Sequence, residues 1–135
     1  ELKRMVDDKW ITVSTSQENA KEKYYEITSA GKTVLDEWLN QLVTELPVHE
    51  DLFSLKLFFI KDMNDQRIPE LINRQLELLN KELKYLTQRE REVFPNQLTI
   101  KNHYGHYLIL TRAISRTKGQ IEWLNETKRS LKNAK

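Results

Sequence analysis

The chain has 135 residues, with 22 Lys and Arg against 20 Asp and Glu and a net charge of +2. That length holds one domain or two very small ones and excludes large catalytic scaffolds. With 39% apolar residues, three Gly, three Pro and no Cys, the chain can bury a core and favours helix, and it has no disulfide framework, thiolate nucleophile or Cys-based metal site.

Leu2, Met5 and Val6 repeat at helical spacing and stop at Asp7-Asp8-Lys9, so residues 1–9 read as the tail of a helix that begins upstream. Trp10 to Thr15 and Lys23 to Thr28 are rich in β-branched and aromatic residues, and the polar run Ser16 to Glu22 between them reads as the loop of a hairpin. A lone hairpin is marginal in water, so its apolar face, Ile11, Val13, Tyr25 and Ile27, is expected on neighbouring helices. Thr28 is a good N-cap, and Val34, Leu35, Trp38, Leu39, Leu42 and Leu46 predict an amphipathic helix of about five turns ending at Pro47. The dense run Leu52 to Ile60 predicts a short helix buried nearly all round.

Ile68, Ile72, Leu76, Leu79, Leu83 and Leu86 step by threes and fours to Val93-Phe94-Pro95-Asn96, which ends a long helix. The last segment runs from about Ile100 to Asn133, with Tyr107, Leu110, Ile114, Ile121, Leu124 and Leu131 in a second seven-residue register that Thr117 and Lys128 soften. Two such helices reach roughly 40 to 50 Å. Their apolar faces suit a two-fold dimer, and these six residues are the expected dimerisation seam; an intramolecular helical hairpin is the alternative, and the two are not exclusive. Charge is uneven, with a net of −1 over residues 1–28, −3 over residues 29–96 and +6 over residues 97–135.

Helix, ribbon and helix, with Lys3, Arg4, Lys21 and Lys23 near the ribbon, is the arrangement of a winged helix-turn-helix, in which such cations pair with phosphates. The plain alternative is a set of solvated charges diluted by Glu18, Glu22 and Glu26. The chain shows no Ser–His–Asp order, glycine-rich phosphate loop or paired acids, so it is not expected to be an enzyme or to carry a cofactor. His103 and His106 stand three apart without further ligands on their helix, so a metal site is not expected either.

The runs Leu2 to Ile11 and Glu22 to Leu35, the latter containing Tyr25-Glu26-Ile27-Thr28 and Gly31, resemble the recognition-helix end, wing and following helix of PadR-type transcriptional regulators. The resemblance continues through Trp38-Leu39 and His49 to Phe59, which is similar to that family's acidic, Phe- and Leu-rich segment, and ends at Ile121-Glu122-Trp123-Leu124. His49 stands where the family often has Arg, and Ser54 where it often has an aliphatic residue. The resemblance implies a mainly α protein: part of a winged helix at residues 1–46, with its first helices and base-reading face upstream of Leu2, then a helical dimerisation domain at residues 47–135. It further implies a cytoplasmic homodimeric repressor on a palindromic operator in double-stranded DNA, released by a small hydrophobic or phenolic effector. Trp10, Trp38, Phe58 and Trp123 are the candidate walls of the effector pocket, against the simpler reading that they are core. A helical dimerisation or adaptor module that never touches DNA is the alternative function.

Overall fold

The computed structural model describes residues 1–133 and divides them into two units, Glu1–Val48 and His49 onward. The first unit contains α1 (Leu2–Asp7), β1 (Ile11–Thr15), β2 (Lys23–Ile27) and α2 (Ser29–Asn40). The second contains α3 (Leu52–Phe58), α4 (Arg67–Val93), α5 (Gln97–Asn102) and α6 (Tyr104–Asn133). Among the described residues no helix is long and apolar enough to cross a membrane.

In the first unit the two strands pair antiparallel, Ile11 opposite Ile27 and Thr15 opposite Lys23. Successive side chains alternate faces, so Ile11, Val13, Tyr25 and Ile27 share one side of the ribbon. Val13, Tyr25 and Ile27 are exposed and Ile11 alone is half-buried, which corrects the expectation that helices cover this face. Within this unit α1 has only six residues, and α2 comes close to the ribbon at its base, where Gly31 lies near Ile27.

Helix α2 starts where expected, with the Thr28 side chain accepting from the Gly31 N–H. It ends seven residues before Pro47, because Gln41 turns extended. Leu42, Val43, Leu46 and Val48 beyond it are nearly fully exposed. An apolar stripe holds a helix only when it is buried against something, and within this unit nothing covers these side chains.

The second unit is a hairpin of two long helices. At 1.5 Å per residue, the 27 residues of α4 and 30 of α6 span about 40 and 45 Å. Ile72 and Leu76 of α4 bury against Leu124 of α6, with Phe53, Ile68, Leu79, Ile121 and Leu131 around them. Further along, Leu86 and Phe94 bury against Leu110 and Ile114, flanked by Leu83, Val93, Ile100, Tyr107 and Ala113. Between the two clusters sits buried Thr117, whose hydroxyl donates to the Ala113 carbonyl of its own helix at 2.9 Å. A polar residue therefore stands in an apolar seam without leaving an unpaired group.

The expected continuous segment from Ile100 is two helices, broken at His103, with α5 capped by Asn96 through the Thr99 N–H at 3.0 Å. The short helix α3 is not buried all round. Phe53 and Leu57 turn inward, whereas Leu52, Leu55, Phe58 and Phe59 are exposed. Its start is fixed by Asp51, which accepts from the Ser54 N–H at 2.7 Å and the Ser54 hydroxyl at 2.9 Å and so has its carboxyl held below the usual carboxylate range.

Candidate nucleic-acid interface

The corner joining α1 to β1 determines how the ribbon leaves the helix. Trp10 N–H donates to Met5 carbonyl and Lys9 N–H to Val6 carbonyl, the paired bonds of a Schellman ending. This ending needs a left-handed residue, and Lys9 supplies it at φ 61° where glycine is usual. The strain is held in place by Thr28. Its hydroxyl lies 2.7 Å from the Lys9 carbonyl and 2.9 Å from the Trp10 carbonyl, and its N–H donates to the latter at 2.8 Å.

Gly31 completes the corner and is the only buried residue in the first unit. A Cβ there would stand 2.0 Å from the Trp10 carbonyl oxygen and 2.9 Å from Ile27 Cγ1. The spacing from Tyr25 through Ile27-Thr28 to Gly31 is thus a packing requirement: Thr28 ties α2 to the corner and Gly31 lets it come close.

At the other end of the ribbon the loop is organised by its own side chains. Ser16 Oγ accepts from the Glu18 and Asn19 N–H groups, Asn19 Oδ1 accepts from Lys21 N–H, and the main chain closes from Ser16 N–H to the Glu22 carbonyl at 3.0 Å. Lys21 and Lys23 are exposed on this tip, and Tyr24 donates to Glu22 at 3.2 Å. Lys3 and Arg4 are exposed on α1, where Arg4 reaches Asp8 at 3.8 Å, a weak surface pair. The four cations picked out in the sequence therefore lie on two supports, α1 and the wing tip. Lys9, exposed between them, was missed because a lysine gives no sign of a left-handed backbone.

Residues 51–132 match the family described as Virulence activator alpha C-term. The Negative transcriptional regulator PadR of Bacillus subtilis (strain 168) is 31% identical over 132 residues, 92% of this chain and 71% of that protein. The chain belongs to the PadR family of transcriptional regulators. Bacillus subtilis PadR in complex with operator DNA superposes with a TM-score of 0.81 at 28% identity, over 96% of this chain and 75% of that one. The same protein in complex with p-coumaric acid superposes at 0.79 with 27% identity, over 97% and 74%. The mainly helical fold with a two-stranded wing is thus that of solved PadR structures.

Tyr107, Leu110, Ile114, Ile121, Leu124 and Leu131 all pack against α4 of the same chain. They form the intramolecular helical hairpin that the sequence left open beside a seam between subunits, with Leu110, Ile114 and Leu124 buried and Tyr107, Ile121 and Leu131 half-buried. Trp10 and Trp38 belong to the first unit, Phe58 and Trp123 to the second, so neither unit alone assembles the four as a pocket. Trp38 is 65% exposed beside a shallow cavity with Leu39 and Leu42, and Phe58 and Trp123 are exposed as well. His106 lies edge-on to Phe94, ring centroids 5.1 Å apart, and His103 closes α5.

Proposed function

We propose that this chain is the wing-bearing and helical part of a cytoplasmic, homodimeric repressor that binds a palindromic operator and is released by a small phenolic or hydrophobic effector. The observation that carries this reading is the corner of Lys9, Thr28 and Gly31, which supports an ordered wing with Lys21 and Lys23 at its tip, in a chain 31% identical to a negative transcriptional regulator.

In this mechanism Lys3, Arg4, Lys9, Lys21 and Lys23 neutralise phosphates and set the register of the head on DNA, while sequence is read elsewhere. Dimerisation uses the apolar side chains that the hairpin leaves exposed, among them Leu52, Leu55, Phe58 and Phe59. Two heads related by a two-fold axis then meet half-sites about one helical turn apart. Release requires that the effector bind the DNA-competent and incompetent arrangements with different affinity. Trp38 and Trp123, both exposed, are the reporters for it.

The test is a fluorescence-anisotropy titration on a palindromic promoter fragment, with light scattering of the free protein and addition of p-coumarate. A dimeric mass, binding that weakens with salt, and release by the acid with a saturable Trp fluorescence change are expected. Failure to bind at low salt points to the adaptor reading, and a monomeric mass at micromolar concentration overturns the dimer.

A further inference from the structure

The end of the hairpin where α4 begins and α6 runs out holds a cavity of about 370 Å³, lined entirely by residues of the second unit. Its inner wall is apolar. Ile72, almost fully buried, and half-buried Ile68 and Leu131 belong to the second core cluster, and Met63 and Pro69 extend this surface outward. Lys128 and Lys132 line the same space from α6.

Lys128 is exposed on α6 beside this space. Ile114 and Ile121 mark the seven-residue register of α6, and the next place in that register, where a third branched apolar residue would lengthen the core, is taken by Lys128. Among the described residues no carboxylate oxygen comes within 4.0 Å of either lysine. One acid does line the cavity, Asp65, but it is already engaged. Arg67 grips its carboxylate at 2.7 and 3.0 Å, and the Arg67 N–H donates to it at 2.9 Å. That grip holds the Asp65 carboxyl down at about 2. Among the described residues, charge at the mouth is thus one neutralised pair and two ammonium groups with no carboxylate in salt-bridge reach, above an apolar wall.

We propose that this cavity is a binding site for a small organic anion, an apolar body carrying one carboxylate, with the body against Ile68, Ile72 and Leu131 and the carboxylate between Lys128 and Lys132. Its volume falls in the range of small-molecule sites, and the few convergent polar groups on an apolar lining are what such sites use to fix orientation. A neutral or cationic ligand of the same body gains the apolar contact and loses the charge-assisted bonds. The site does not depend on DNA binding or on the effector proposed above, since every residue that lines it lies between Met63 and Lys132.

Methyl-resolved NMR of the whole chain titrated with sodium octanoate tests it, with octanol and octylammonium as controls of equal tail. Octanoate is expected to give saturable shifts at Ile68, Ile72 and Leu131, while Leu110 and Ile114 in the other cluster report that the fold is unchanged. Binding should be roughly ten-fold tighter than octylammonium, and Lys128→Gln with Lys132→Gln should bring the two within about two-fold, as expected for charge-assisted recognition. Ile68→Trp, which fills the slot, should abolish the shifts at Ile72 and Leu131. Equal affinity for the three ligands, shifts centred elsewhere, or octanoate binding untouched by the double substitution overturns the proposal.

Discussion

The two units are stabilised by different physics. Every buried apolar side chain among the described residues, from Ile72 to Leu124, lies in the second unit, whereas the first buries only Gly31. The hairpin is a packed interface in which α4 and α6 meet in two apolar clusters. The winged unit is instead assembled from main-chain ladders, a Schellman ending, a capping threonine and a self-bonded loop.

Substitution should separate the two most sharply at the core. Leu124→Ala, at a position 1% exposed, should lower unfolding stability in urea by about 2–5 kcal/mol. Val13→Ala on the open face of the ribbon should change it by no more than about 0.5 kcal/mol. Similar losses at both sites would mean that the ribbon is covered after all. Gly31→Ala is the exception that the corner predicts: it should remove about 1–3 kcal/mol by overpacking against the Trp10 carbonyl. Hydrogen exchange should place that loss in α1, the strands and α2 and leave the hairpin protected.

Thr28→Ala, which deletes the cap and the bonds to Lys9 and Trp10, should remove about 0.5–2 kcal/mol from the same elements. Lys9→Gly acts the other way. It should relieve about 1–2 kcal/mol of left-handed strain and raise the melting temperature, yet weaken binding to DNA and reduce its salt dependence by about one phosphate contact. A gain in both stability and affinity would remove Lys9 from the interface.

The smallest effect concerns acid. Asp65 sits at about 2 in the folded chain against an ordinary 3.8, because the Arg67 guanidinium donates to it. A lowered carboxyl contributes its stability above the ordinary value and loses it as pH falls through the folded one. A shallow decline from about pH 4 to pH 2 is therefore expected in the hairpin, damped by salt because Arg67 is exposed. Asp65→Asn should remove that part of the decline.

What was readable in the sequence follows the same division. The register of α4 was legible because Ile72, Leu76 and Leu86 repeat in phase with the turn of the helix and are the residues that bury. The strands were legible from their β-branched and aromatic content, and the family from ordered short runs along the whole chain. Periodicity does not say which partner a stripe meets. The stripe from Tyr107 to Leu131 therefore suited a subunit contact as well as the hairpin partner α4 that it faces, and Leu42 and Leu46 read as helix when they lie beyond its end. The break at His103 and the left-handed Lys9 carry no Gly or Pro to announce them. The left-handed conformation of Lys9 is a backbone angle that only the folded corner reveals.

One oxygen atom, the Thr28 hydroxyl, stands within hydrogen-bond distance of the end of α1, the start of the ribbon and the first turn of α2. With Gly31 in direct contact with the Trp10 carbonyl, there is no slack at this junction. A single substitution at Thr28 or Gly31 therefore acts on α1, the ribbon and α2 at once.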